Sequence, residues 1–181
     1  MDAVSERELT LLAGLLGQPG PDSLEAVDEM AAGLPWLQAA CPQLRTTPLE
    51  EWQAEHTRLF VNGIPKTICP PFESYWRHGS LGGSCVQAIA GLYRRAGVEA
   101  DPDIAPDFLG SLLDLAVHLR LQHGRLADVE QELWQEHLLV WVPQFAARLR
   151  DSSSLILYGS LGARFLDLSG EGRVNNRSGT W

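Results

Sequence analysis

Apolar residues recur at helical spacing along most of this chain, and this spacing is the strongest constraint on its fold. One helical face between residues 109 and 119 carries Leu109, Leu112, Leu113, Ala116 and Leu119. A stripe at three- and four-residue intervals is typical of an amphipathic helix with one buried face. The run LIL at 155–157 is strand-like alone, but it sits inside a longer helical pattern. The sequence therefore predicts an all-α bundle of seven or more helices.

A second stripe follows in the segment 126–149. Its members step by four, three, four and four residues: Trp134, Leu138, Trp141, Phe145 and Leu149. Pro143 lies inside this stripe, and proline lacks the N–H that a helix interior needs. Pro143 therefore either kinks one helix or begins a new one at its first turn, and the second reading is favoured.

Capping and stop signals predict several helix boundaries. Ser5 and Glu8 form a capping box that begins the first helix. A second helix is predicted over about 22–33, capped by Asp22 or Ser23. Pro48 stands at the first turn of another helix, and Gly97 ends the helix that begins near residue 84.

The polar, glycine-rich end of the sequence predicts where the folded part stops. The last helix is predicted over about 152–168, and residues 170–181 are predicted to be a flexible tail. Together with the length of 181 residues, this indicates one all-helical domain over residues 1–169.

The segment 61–83 is the one long connection that shows no helical spacing. The sequence around it, LFVNGIPKTICPPFESYW at 59–76, is rich in aromatic residues and proline. Connections of this length are usually functional or act as linkers. Its aromatic residues either seal the junction between two helical lobes or line a groove for a peptide with an apolar stretch and basic residues.

The formal net charge of −9 bears on the class of partner. A strongly acidic chain disfavours nucleic acid and anionic membranes, and it favours a cationic ligand. The N-terminal sequence has no basic region followed by an apolar core, so no signal peptide is predicted. No run approaches the roughly 18 apolar residues that span a bilayer. We therefore expect no membrane insertion and a cytoplasmic location.

The sequence offers little support for catalysis or metal binding. Its three cysteines are odd in number and lack a CxxC spacing, which indicates free buried thiols rather than a zinc site or disulfides. His118 and His123 are five apart and make a poor metal pair. A hydrolase that uses Asp107 with Asp114, or a cysteine with a histidine, has no supporting motif. We expect no enzymatic activity, no metal and no cofactor.

Several segments of the chain resemble, in sequence and in order, those of the TorD/DmsD/NarJ family. Its members are the cytoplasmic maturation chaperones of molybdenum-containing respiratory reductases. The resemblance covers roughly residues 50–150 and lies in HTRLF at 56–60, CPPFESYW at 69–76, VQAIAGLYRRAGVE at 86–99, APDFLGSLLDLAVHL at 105–119 and EHLLVWVPQFAARL at 136–149.

The resemblance implies an all-α, non-enzymatic protein. Such a protein binds the apo catalytic subunit, the twin-arginine signal peptide, or both, and prevents export before the molybdopterin cofactor is inserted. It also implies that a homodimer can form by domain swapping. The alternative is a helical adaptor that binds a partner helix and has no signal-peptide role. The implied peptide groove draws on Leu59, Phe60, Pro70, Pro71, Phe72, Glu73, Tyr75, Trp76, Pro106 and Asp107.

Two positions depart from the family motifs. Phe72 stands where tyrosine is usual, which removes a hydroxyl but keeps an aromatic face. Phe108 stands where the acidic motif often has histidine.

Overall fold

The structure, a computed structural model, describes residues 4–63 and 66–177, and side chains as far as residue 170. The described residues form helices and connections with no β-strand, apart from one isolated antiparallel bridge between Phe72 and Phe108. The predicted all-α fold with seven or more helices is confirmed.

The helices follow one another closely along the chain. They are α1 Glu6–Gly14, α2 Ser23–Ala31, α3 Pro35–Gln38, α4 Cys41–Leu44, α5 Leu49–His56, α6 Glu73–His78, α7 Ser84–Ala96, α8 Leu109–Leu121, α9 Ala127–Glu132, α10 Leu139–Ser152 and α11 Ile156–Arg177. Two π-helical turns, Thr57–Val61 after α5 and Leu133–Leu138 between α9 and α10, widen the helical path within the described residues.

Local signals account for several helix ends. Ser5 Oγ accepts a hydrogen bond from the Glu8 N–H at 3.2 Å, as the capping box predicts. Gly97 follows the last residue of α7 with φ of 71°, a left-handed conformation that glycine adopts without steric cost.

The described residues divide into two compact units, and neither is one continuous piece of the chain. The first consists of residues 4–17, 71–142 and 171–177, and the second of residues 18–70 and 143–170. The prediction of a single domain over 1–169 stays a prediction.

In the first unit, α1 packs against α8. Leu9 and Leu12 of α1 and Leu112 of α8 are buried, so each helix buries an apolar face, and that of α8 was predicted. Arg120 at the end of α8 pairs with Glu130 at 3.0 Å and donates to the carbonyl oxygen of Val4 at 2.5 Å. This side chain thereby ties the start of the chain to α8 and α9.

In the second unit, buried aromatic residues hold α5 to α11. Trp52 Nε1 donates to the Tyr158 hydroxyl at 2.9 Å, although 106 residues separate them. Phe60 meets Tyr158 edge-on with ring centroids 5.3 Å apart and stacks on Phe145 at 6.3 Å. Such pairs contribute beyond the area they bury, because ring edges and faces carry opposite partial charge.

Glu55 supports the same unit from α5. Its carboxylate accepts both guanidinium nitrogens of Arg58, at 2.7 and 2.8 Å, and the Ser154 N–H at 2.7 Å. Burial alone would raise the pKa of Glu55, but these hydrogen bonds outweigh burial and lower it.

The connection 61–83 is less irregular than predicted, because α6 occupies Glu73–His78 within it. Gly79 ends α6 in a left-handed conformation, but Phe72 before the helix provides no side-chain cap at its start. The cap comes instead from Asp107, 33 residues further along the chain. Residues 64 and 65 of this connection lie outside the described residues.

Two other boundary predictions are wrong. Pro143 does not begin a helix, since it is the fifth residue of α10. α10 follows the π-helical turn without a break, so Pro143 lies inside a longer helical run and removes one hydrogen bond there. The last helix begins at Ile156 and continues to Arg177, past the predicted end near residue 168. No proline stands after residue 156 to stop it.

That residues 170–181 form a flexible tail stays a prediction, and residues 178–181 lie outside the described part of the chain. Among the described residues, no helix combines the length and the apolar character that crossing a membrane requires.

Gly162 provides a test of helix packing in the second unit. A Cβ atom there would lie 2.6 Å from the Ala146 carbonyl oxygen and 2.6 Å from the Arg150 nitrogen, both backbone atoms of α10. We expect Gly162→Ala to lower the free energy of unfolding by about 1–3 kcal/mol, the usual cost of overpacking. Chemical denaturation measures this change.

The matched control is Gly170→Ala in the same helix, where a Cβ would meet nothing within 4 Å. Alanine favours helix over glycine by about 1 kcal/mol, so this variant should be unchanged or stabilised. Equal stability of the two variants would contradict close packing at Gly162.

Candidate functional site

Two segments of the first unit meet at an antiparallel bridge. The Leu109 N–H donates to the Pro71 carbonyl oxygen at 2.8 Å, and the Glu73 N–H donates to the Asp107 carbonyl oxygen at 3.1 Å. Phe72 and Phe108 therefore face each other as a non-hydrogen-bonded pair, in which side chains come closest. This bridge brings together the predicted site residues Pro71, Phe72, Glu73 and Asp107.

Asp107 caps α6 from outside. Its Oδ2 accepts the Ser74 N–H at 2.9 Å, and its side chain is almost completely buried. A carboxylate at a helix start satisfies an otherwise unpaired N–H and stabilises the positive end of the helix dipole. This contact explains why six residues in the middle of a connection form a helix.

Glu73 places a carboxylate in the interior of the first unit. The side chain is 0% exposed, and His137 Nδ1 lies 3.0 Å from each of its oxygens. An ionised carboxylate only accepts hydrogen bonds, so Nδ1 carries the proton. The π-helical turn Leu133–Leu138 supplies this histidine, and such turns occur often at functional sites.

Arg77 completes the environment of Glu73. Its Nη1 lies 2.6 Å from Glu73 Oε1 and also donates to the carbonyl oxygen of Glu136 at 3.2 Å. The Arg77 side chain is 34% exposed, whereas His137 is 4% exposed. Arg77 therefore reaches the buried carboxylate from the solvent side.

Aromatic side chains around this cluster are half-exposed. They are Phe72, Tyr75, Trp76 and Phe108. The rings of Phe72 and Phe108 lie 5.7 Å apart, and those of Tyr75 and Trp76 lie 5.8 Å apart. The Phe108 ring lies directly over Gly110, where a larger residue would meet it. Pro106, before Asp107, is also half-buried.

The remaining predicted site residues belong to the second unit. Leu59 and Phe60 lie in the π-helical turn Thr57–Val61 and are buried, as is Pro70. The Leu59 carbonyl oxygen accepts the Cys69 N–H at 2.8 Å. The structure thus places the ten predicted residues in two groups, one in each unit.

The chemistry of the cysteines does not favour nucleophilic catalysis. Cys41, Cys69 and Cys85 are free and buried. Burial raises the pKa of Cys69 to about 12 and also raises the pKa of Cys85, whose thiol lies near Glu73 and Asp107. A reactive cysteine needs a lowered pKa, because the thiolate is the nucleophile.

The acid pair Asp107 and Asp114 and the histidine pair His118 and His123 do not form a site either. Asp107 precedes α8 and is buried, whereas Asp114 within α8 is exposed. The two carboxylates therefore do not share one helical face. His118 Nε2 lies 3.3 Å from the Ala96 carbonyl oxygen. Within residues 4–63 and 66–177, no three histidine, cysteine or acidic residues are grouped to hold a metal ion.

Sequence reasoning missed Arg77 and His137. His137 lies 64 residues from Glu73, so no local pattern links them. Arg77 offered the better signal, because acid and arginine four residues apart pair on one face of a helix. That signal depends on α6 being recognised as a helix.

The Glu73 cluster predicts a loss of stability that an exposed acid does not share. We expect Glu73→Ala to lower the free energy of unfolding by about 3 kcal/mol, because it leaves a buried donor of His137 unpaired. Glu136→Ala removes the same charge from an exposed side chain and should change stability by less than about 0.5 kcal/mol. Urea denaturation of both variants tests this, and equal stability would contradict it.

Comparison with known proteins shows which solved structure has a similar fold and which protein family the chain matches. The solved structure of a candidate redox enzyme maturation protein from Archaeoglobus fulgidus matches with a TM-score of 0.66 and 23% identity, over 92% of this chain and 94% of that chain. This likeness shows a shared fold. Comparison with curated protein sequences finds no significant match.

A model of the family described as "Nitrate reductase delta subunit" matches residues 24–147, more than half of the chain. The predicted relationship to the redox enzyme maturation proteins is confirmed, and the chain belongs to the nitrate reductase delta subunit family.

Proposed function

We propose that this protein is a cytoplasmic chaperone for a molybdopterin-dependent oxidoreductase. It binds the apo catalytic subunit, its twin-arginine signal peptide, or both, and holds the client until the cofactor is inserted. Binding is reversible and involves no covalent step, so the protein is not an enzyme.

The family match carries this proposal. The matched range, residues 24–147, contains all ten residues of the predicted groove, including the bridge between Phe72 and Phe108. The solved maturation protein supports the same fold over nearly the whole chain.

Half-exposed aromatic residues supply the apolar part of the proposed contact. Phe72, Tyr75 and Trp76 occupy the bridge and α6, which Asp107 and Glu73 hold in place from within the unit. Aromatic rings offer a large contact area at a low cost in conformational entropy. A segment held by buried polar contacts is ordered before its partner arrives, which favours affinity.

The charge of the chain supports a cationic client. A net charge of −9 accelerates the encounter with a segment that carries paired arginines. Domain-swapped homodimer formation, which the resemblance implies, stays a prediction.

Calorimetric titration with twin-arginine leader peptides tests the proposal. The leaders come from molybdoenzyme subunits of the same genome, each paired with a control in which both arginines are lysines. We expect tight binding to one leader and weaker binding to its control, because lysine cannot form the forked contacts of arginine. If no leader or apo subunit binds, the chaperone proposal fails.

A leader that binds equally well with lysines would instead favour the helical adaptor, because its recognition would not depend on the arginine pair.

Phe72 tests the aromatic part of the contact. We expect Phe72→Ala to weaken leader binding by about tenfold, a typical loss for a central aromatic contact. Leu121→Ala is the control, since Leu121 is 57% exposed in the same unit but lies outside the predicted groove. The same titration measures both, and equal affinities would remove Phe72 from the contact.

A further inference from the structure

The Glu73 carboxylate is fully buried, but one of its two described side-chain partners is partly exposed. It is 0% exposed, yet its cation partner Arg77 comes from the surface and stays 34% exposed. The other polar contact comes from His137, which is itself buried. A buried carboxylate is costly unless a charged donor compensates it, so the site needs a cation at the position of Arg77.

Arg77 does not enclose Glu73 permanently. It lies on the same short helix, four residues further on, and its own side chain is 34% exposed. It also donates a hydrogen bond to the Glu136 carbonyl oxygen, and this contact is 3.2 Å long. Turning outward solvates the Arg77 guanidinium but leaves the buried Glu73 carboxylate without its cation, so Arg77 leaves the site only when another cation takes its place.

The remaining walls of the site are fixed. His137 holds both carboxylate oxygens from the π-helical turn, and Asp107 caps the helix that carries Glu73. When another cation displaces Arg77, the Glu73 carboxylate therefore stays in place. Guanidinium groups match the geometry of carboxylates better than ammonium groups do.

We propose that the Glu73 carboxylate is a guanidinium-binding site that Arg77 occupies in the free protein and that an arginine of the client takes over. Arg77 is thus an internal competitor that the client displaces. This inference rests on the proposed function, since the client supplies the arginine. In this role Arg77 lowers the affinity for partners without arginine. Displacement of Arg77 breaks its ion pair with Glu73, and only another guanidinium forms an equivalent pair.

The first experiment tests the site without any client. Arg77→Ala removes the internal guanidinium, and Arg95→Ala removes an arginine of the same unit that pairs with the exposed acids Asp128 and Glu132. Thermal unfolding of each variant is followed in millimolar ethylguanidinium chloride and in equal sodium chloride. We expect ethylguanidinium to raise the melting temperature of Arg77→Ala by several degrees more than that of Arg95→Ala.

The second experiment measures affinity for the twin-arginine leader peptide and for its lysine control. Both variants make the protein more acidic by one charge, so their comparison cancels long-range attraction. We expect Arg77→Ala to bind the twin-arginine leader about tenfold more tightly than Arg95→Ala does, and the lysine control to show a smaller difference. Arg77→Lys keeps the charge and a folded site, and it should fall between the two.

The outcomes separate this inference from the proposed function. If ethylguanidinium stabilises both variants equally, the Glu73 site does not accept an external guanidinium and the inference fails, whatever the leader does. If the leader binds the wild-type protein but the two alanine variants bind it equally, the inference fails and the chaperone function stands. If no leader or apo subunit binds any variant, both fail.

Discussion

The contacts of the buried Glu73 carboxylate and the cap that Asp107 provides to its helix together join three parts of the first unit that are distant in sequence. Glu73 and Arg77 belong to α6, and His137 belongs to the π-helical turn before α10. Asp107 anchors the same helix from the start of α8. A buried charge is stable only when each of its partners is present. The position of α6 and of its aromatic residues therefore depends on contacts that span 64 residues of the chain.

The second unit depends on a different kind of contact. Its core contains a cluster of aromatic residues, in which Trp52, Phe60, Phe145 and Tyr158 pack together. Glu55 adds a polar anchor by accepting the Ser154 N–H at the connection between α10 and α11. The two units thus use buried acids in the same manner, because each carboxylate collects an arginine and a backbone or imidazole donor. Both Glu55 and Glu73 therefore stabilise the fold of the free protein, in the absence of a bound client.

Sequence patterns predicted the helix boundaries and buried faces that depend on interactions between residues close together in the chain. The capping box at Ser5, the stop at Gly97 and the stripe from Leu138 to Leu149 all reflect interactions within a few residues, and the structure agrees with them. The helix α6 was missed because its cap comes from Asp107 across the bridge. The sequence also does not show that the acids of the site are buried. Glu73 and Asp107 look like free surface acids in a loop sequence, and only their distant partners reveal that they are buried. Family resemblance pointed to these residues, but it did not indicate His137 or Arg77.

The π-helical turn Leu133–Leu138 has a consequence for how this chain compares with its relatives. A π turn holds one residue more than the surrounding α-helix, so it behaves as a single-residue insertion that the hydrogen-bond ladder has absorbed. Each residue of an α-helix advances the side-chain direction by about 100°. Loss of one residue from this turn would restore a regular α-helix. The residues before the turn would then be rotated about the helix axis relative to the residues after it. The buried Val129 before the turn and the buried Trp141 after it would then no longer both point into the first unit. In a relative that lacks the wide turn, an alignment should show a one-residue gap here, and the partner of its Glu73 counterpart should come from another position.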